Sequence, residues 1–367
     1  MTKASAPAPN DTARGEPAAG GRPAPDAPWL RALFGHLVRT RCIDRRMVQL
    51  QRTGRVAFVG PVTGMEAAIL GTAAALEPRD WLWSGLREGP AALLRGMPLD
   101  EYVGQMFGRS GDTGRGRQMP NHFQHRGTNF PSWSSVIGTQ IPHGVGAALA
   151  ARRRGLDEVH AIYFGDGATS SNGFHSGLNL AAVWKVPAVF VCIHNGWAIS
   201  VPSHEQSAVD SFADKAPAYG MPGHEVDGND ILGCHVAMRE LVERARGGAG
   251  PALLVARTYR LEGHSSADDP SRYRAAAEVE EWARRDPLAR FQRLLFERGV
   301  LAPGEPEAIE RAAYAEIDAA IRRQEAAPDL PLPSLVEDVF AGVPAHLRRQ
   351  YADYLDLLSR RGPPRRA

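Results

Sequence analysis

Lysine is almost missing from this chain of 367 residues: of 43 basic side chains, only Lys3, Lys185 and Lys215 are lysine. Acidic residues number 41, so the net charge is +2 and no one-signed field exists to favour nucleic acid or an acidic membrane surface. Cysteine is scarce as well. Cys42, Cys192 and Cys234 are odd in number and far apart, which excludes a disulfide framework and any zinc-type cysteine spacing. A reducing, cytoplasmic setting is the expectation. No apolar run approaches the roughly 20 residues that span a bilayer. The first 28 residues are rich in Ala, Pro and Gly, carry Asp11, Glu16 and Asp26, and hold no apolar signal core. They read as a disordered tail.

What remains is ample for a core, at 43% apolar and 23% charged residues. From Trp29, the residues Leu30, Leu33, Phe34, Leu37, Val38 and Cys42 share one helical face. A second apolar helix is expected over 64–76, and another over 141–154. The segment 108–131 is full of Gly, Arg, His and Asn and too long for an idle connector, which makes it a candidate functional loop. Three short apolar runs read as strands: EVHAIYF (158–164), PAVFVCI (187–193) and PALLVAR (251–257). A helix over 172–184, capped by Ser170, Ser171 or Asn172, separates the first two. Strands buried on both faces and joined by helices make a parallel sheet, hence a doubly wound α/β domain over 29–275. Beyond it, 276–367 reads as a helical extension packed on the core or on a partner.

In such sheets ligands collect at the carboxyl ends of the strands. Two short motifs fall there. Gly165-Asp166-Gly167 follows the first strand, and His194-Asn195-Gly196 follows the second, 29 positions later. Glycine lets a ligand approach the backbone, and a following helix N-terminus offers free N–H groups to an anion. A carboxylate and an amide oxygen on neighbouring strand ends suit Mg2+ carrying a diphosphate. An isolated GDG would more simply be an ordinary turn; Asn195 in register tips the reading to a metal site. His122, His125 and His194 were weighed as zinc ligands and set aside, because HFQH is an unusual spacing and no HExxH occurs.

The stretch GDGATSSNGFHSGLNLAAVWKVPAVFVCIHNGWAIS resembles the thiamine diphosphate motif. With QRTGR, GMEAA, GRGRQMPNHF, GTQIPHGVGAA, VDGND and TYRLEGHSSADDPSRYR in order, the chain from about Arg41 to Arg349 resembles the alpha subunit of the decarboxylating first component of 2-oxo acid dehydrogenase complexes. The resemblance implies that Asp166, the side chain of Asn195 and the carbonyl of Trp197 bind Mg2+. It implies that Gly165, Gly167 and Ala168 line the diphosphate of thiamine diphosphate and that Arg87 contacts a phosphate. Ser135 and Ile137 would lie beside the cofactor, with Ile137 as the apolar wedge under its bent form. Ser134, Thr139 and Gln140 resemble a structural K+ loop of some members. His264 would touch the diphosphate or the reacting centre and assist acyl transfer. His122 would line the entrance.

The implied reaction is decarboxylation of a 2-oxo acid and reductive acylation of a lipoyl group on the acyltransferase core. The activating glutamate would come from a beta subunit in an alpha-two beta-two assembly. Glu66 in GMEAA is the tempting internal alternative, but the resemblance places it on the alpha side. The branched-chain (2-oxoisovalerate) type is the first reading, ahead of pyruvate and acetoin. Four departures from the family pattern are Leu86 for a tyrosine, Ile193 for a polar residue, His194 for the first asparagine of NN, and Asn172 within a stretch usually acidic. They motivate a rival reading, a non-catalytic paralogue that binds a beta-like partner.

Overall fold

The computed structural model describes residues 25–361. In chain order the helices are α1 (Ala27–Arg52), α2 (Glu66–Ala73), α3 (Gly89–Leu94), α4 (Leu99–Phe107), α5 (Gln140–Arg153), α6 (Asn172–Val183), α7 (Ser203–Gln206) and α8 (Ile231–Arg246). Five more follow: α9 (Ala276–Ala283), α10 (Pro287–Glu297), α11 (Glu305–Ala326), α12 (Ser334–Glu337) and α13 (Ala345–Arg361). The strands are β1 (Trp81–Trp83), β2 (His160–Gly165), β3 (Ala188–His194), β4 (Trp197–Ala198), β5 (Val201–Pro202), β6 (Gly223–Asp227) and β7 (Ala252–Arg257).

Five strands form one all-parallel sheet in the order β1-β2-β3-β7-β6, and β4-β5 is a small antiparallel hairpin. Alternation along the central strands decides the layers. Val189, Val191 and Ile193 face one cluster, with Leu37 of α1, Ile69 of α2 and Met238 of α8. Phe190 and Cys192 face the other, with Val145 of α5 and Leu178 of α6. This is the doubly wound α/β architecture expected from the three apolar runs.

The sequence reading needs correction at several points. Residues 1–24 lie outside the described residues, but the proposed tail ends too late. Asp26 caps α1 by accepting a hydrogen bond from Trp29 N (2.9 Å), so Ala27 and Pro28 belong to its first turn. Besides the small β4-β5 hairpin, two strands of the main sheet carry no clear signal in the sequence, and both are its edges. β1 (WLW) is apolar but only three residues long, and half-exposed β6 (GHEVD) is mostly polar, so neither gives the longer apolar run of a strand buried on both faces. The helix expected over 64–76 is shorter, because Gly64 has φ +97° and cannot begin it. Ser171 is the residue that caps α6, accepting from Phe174 N at 3.2 Å.

Beyond residue 275, α10 and α11 pack on α1, and α11 also packs on α4. A buried ion-pair network joins these layers. Arg41 of α1 binds Glu66 of α2 and donates to Asp286, the cap of α10, at 2.9 Å. Glu66 also accepts from Gly64 N (2.8 Å), so both its oxygens are held inside the fold.

Candidate cofactor site

Four neighbouring strands each deliver one segment to the same end of the sheet. Arg87 follows β1, Gly165-Asp166-Gly167 ends β2, His194-Asn195 ends β3, and Arg260 and His264 follow β7. Parallel register puts Gly165 beside Ile193, so Asp166 and Asn195 emerge from adjacent strand ends. Sequence separation becomes proximity because the crossover through α6 returns the chain one strand over.

Asp166 opens a short 3-10 turn (Asp166–Ser170) and is only 1% exposed. Its Oδ2 is buried without a hydrogen-bond partner. Burial raises its pKa to about 6 against the pull of its own turn's N–H groups, Arg260 and Arg87. An unsatisfied buried carboxylate oxygen is expensive unless something binds it. Asn195 is buried too; its Oδ1 accepts from Trp197 N (3.1 Å) and its Nδ2 reaches Met65 Sδ (3.5 Å). The Trp197 carbonyl accepts from Arg260 Nη1 at 3.3 Å, which leaves one of its two lone pairs.

The turn behind Asp166 is close-packed on one side only. A Cβ on Gly167 would meet Ala198 Cβ at 3.0 Å, so a side chain there would crowd the chain's own packing. A Cβ on Gly165 would touch no atom of the chain, and its φ of −84° suits any residue. The chain's own packing therefore does not require glycine at 165, and the backbone there is open. Ala168 is buried, and its carbonyl accepts from Ser171 Oγ (2.7 Å).

Opposite lies a cationic wall. Arg87 is buried, donates to the Pro61 carbonyl, and donates through Nη2 to the His264 carbonyl (2.8 Å). Burial, with help from Arg260, lowers its pKa to about 10, so it remains charged. The same Nη2 lies 3.3 Å from His264 Nδ1. Arginine only donates, so Nδ1 is the acceptor and Nε2 carries the proton. Burial, then Arg87 and Arg260, lower the His264 pKa to about 4, which keeps the imidazole neutral at pH 7. Its backbone N–H donates to Asp268 Oδ2 at 2.6 Å.

Ser135 and Ile137 are both exposed, Ile137 to 61%. Ser135 is not free to turn: its hydroxyl meets His122 Nε2 at 2.7 Å, while His122 Nδ1 donates to the Pro120 carbonyl (3.2 Å). His122 therefore accepts from Ser135, and Trp133 packs on its ring at 4.1 Å. The loop 108–131 is thus tied to Ser135. The sequence contained both residues but not their link. In the turn before α5, Thr139 Oγ1 donates to the Val136 carbonyl (2.8 Å), Ser134 Oγ accepts from Val136 N (3.2 Å), and Gln140 keeps a buried Oε1 without a partner. His125 bonds Thr128 (3.0 Å), and His194 packs on Phe212 with both ring nitrogens unpartnered. His122, His125 and His194 thus have separate neighbours and do not form a zinc set.

Arg260 is the member of the wall that sequence reasoning undervalued. It is wholly buried (0% exposed) and bonded to Trp197, Ile199 and Tyr273. Tyr273 in turn donates to Asp268, the acceptor of the His264 N–H.

The fold is that of an α/β protein whose parallel strand ends gather one free carboxylate oxygen, two amide or carbonyl oxygens and two guanidiniums, a donor set suited to a metal ion and an anion. The profile of the dehydrogenase E1 component matches residues 36–332. The 3-methyl-2-oxobutanoate dehydrogenase subunit alpha of Mycobacterium tuberculosis is 45% identical over 276 residues, covering 74% of this chain and 71% of the relative. The pyruvate dehydrogenase E1 component subunit alpha of Staphylococcus aureus is 39% identical over 324 residues, 88% of this chain and 85% of the relative. The mitochondrial 2-oxoisovalerate dehydrogenase subunit alpha 2 of Arabidopsis thaliana is 37% identical over 319 residues, 87% and 68%. The chain belongs to the dehydrogenase E1 component family, whose members use thiamine diphosphate.

Proposed function

We propose that the chain is the alpha subunit of a branched-chain 2-oxo acid dehydrogenase and works with a separate beta subunit as an alpha-two beta-two assembly. The observation that carries the cofactor reading is the buried, unpartnered Oδ2 of Asp166 beside Asn195, facing Arg87 and Arg260. The charges support it. Two guanidiniums and a divalent cation, less one carboxylate, balance an ionised diphosphate. Asp166, Asn195 and the Trp197 carbonyl would hold Mg2+; Gly165, Gly167, Ala168 and Arg87 would face the diphosphate. Gln140, Thr139 and Ser134 would hold a structural K+.

Thiamine diphosphate, when bound, supplies the nucleophile and electron sink for losing carbon dioxide from a 2-oxo acid. The chain's residues do the rest. Arg87 positions anionic groups by paired hydrogen bonds. His264, neutral with Nε2 protonated, is a donor at neutral pH and assists acyl transfer to the lipoyl domain of the acyltransferase core. Ser135, oriented by His122, and Ile137 would lie against the cofactor. Glu66 is bound on both oxygens and is unsuited to activate it, which supports a beta subunit as the source of the activating acid.

The branched-chain substrate rests on the higher identity to the 3-methyl-2-oxobutanoate relative; pyruvate is the alternative. Leu86, Ile193 and Asn172 weaken the polar lining and favour the second reading, a partner-binding paralogue without turnover. Calorimetric titration of thiamine diphosphate with Mg2+ into the complex copurified with its beta subunit separates the two. Tight, metal-dependent binding that Asp166→Ala abolishes is expected, followed by dye reduction with branched 2-oxo acids above pyruvate. A well-formed complex that binds no cofactor leaves the paralogue reading.

A further inference from the structure

We infer that Arg260 is a positioning residue: it clamps the 197–199 turn and thereby aims the Trp197 carbonyl and the Asn195 amide at the metal. The inference rests on the cofactor reading above. Arg260 is 0% exposed, and among the described residues no carboxylate forms an ion pair with it. A buried guanidinium without an ionic partner needs another reason to be there. Its donors supply the reason, since two of them converge on one short turn, on the Trp197 carbonyl (3.3 Å) and the Ile199 carbonyl (2.8 Å).

That turn needs holding. Ile199 has φ +58°, a left-handed conformation that a β-branched residue strongly resists. Its side chain is 56% exposed, so packing does little to fix it. The turn is chained to the site on its other side as well, because Trp197 N donates to Asn195 Oδ1. Rotation of the Trp197 peptide would swing its carbonyl and release the Asn195 amide together. Tyr273 OH accepts a third hydrogen bond from Arg260 (3.0 Å), which holds the guanidinium plane. Both terminal nitrogens of Arg260 are thus engaged with the turn and with Tyr273, so its charge counts toward the site while its hydrogen bonds act on the metal ligands through the backbone.

The test uses the copurified complex in wild-type, R260Q, R260K, I199G and R260Q/I199G forms. Amide hydrogen exchange is read at 197–201 without metal or cofactor. Mn2+ affinity is read by electron paramagnetic resonance with thiamine diphosphate present. In R260Q, exchange at 197–201 should quicken at least tenfold while β2 and β3 amides hold, and Mn2+ should bind at least tenfold more weakly. R260K should fall between. R260Q/I199G should regain much of both, because glycine takes φ +58° without strain. Wild-type behaviour in R260Q overturns the inference, as does a loss of protection that spreads over β7 and is not rescued by I199G. Should R260Q fail to assemble, unchanged turn exchange and Mn2+ affinity in R260K overturn it, and intermediate values support it. If the wild-type complex binds no Mn2+, the cofactor reading fails while the exchange measurement still decides the clamp.

Discussion

Asp166 is an acid whose surroundings work against its charge. Burial holds its pKa near 6, above the ordinary aspartate value of 3.8. A metal binds the ionised form, so Mg2+ affinity should be flat above about pH 7 and fall toward tenfold per unit well below pH 6. Calorimetry in buffers of different ionisation heats should find up to one proton released per Mg2+ near pH 5.5 and almost none at pH 7.5. The same shift has a sign for stability without metal. The folded state binds this proton more tightly than the unfolded one, so the group's favourable contribution is present at low pH and is lost as pH rises through about 6. Mg2+ with cofactor should therefore raise the melting temperature more at pH 7.5 than at pH 5.5. The Asp166 and Asn195 positions were readable, because each follows closely on an apolar run. Arg260 was not, because it reaches carbonyls 61 and 63 positions away and its partners carry no side-chain signature. The Ser135–His122 pair was missed for the same reason: neither residue type announces a partner.

At the scale of elements, helices α2 and α8 meet where Gly71 faces the start of α8. A Cβ at that position would collide with the Ile231 backbone and the Cys234 side chain. Gly71→Ala should cost about 1–3 kcal/mol, the usual penalty of overpacking, seen as a lowered denaturation midpoint. Gly165→Ala is the matched contrast. Its Cβ meets no atom of the chain, so the unliganded midpoint should move by well under 1 kcal/mol, within the range of neutral surface changes, while calorimetric cofactor affinity drops. A midpoint loss at 165 equal to that at 71 would contradict the reading of that glycine. The elements themselves were legible in proportion to burial. Central β2, β3 and β7 announce themselves by apolar runs, whereas edge strands β1 and β6 do not. Because Arg87 hangs from β1, missing that strand meant missing why Arg87 arrives beside β2.

For the whole molecule, large apolar side chains next in sequence to the site segments lie open to solvent: Val136 and Ile137 beside Ser135, and Ile199 and Val201 after Trp197. Exposed apolar residues around a polar cleft are suited to cover by another protein. The isolated chain should show no dye reduction with any 2-oxo acid. Titrating in the beta subunit should restore it with a break at one beta per alpha, while addition of cofactor alone restores nothing.

The convergence of four strand ends also sets an order of events during synthesis. Arg87 and His264, which touch, are separated by 177 positions, so a chain still on the ribosome owns half a site for as long as it takes to add the rest. At about 5–20 residues per second, that interval lasts on the order of ten seconds or more, during which a free Asp166 carboxylate and exposed strand edges await β7. A ligand of this junction can therefore meet its whole set of contacts only after β7 has joined the sheet, so binding can stabilise a finished chain but not a nascent one.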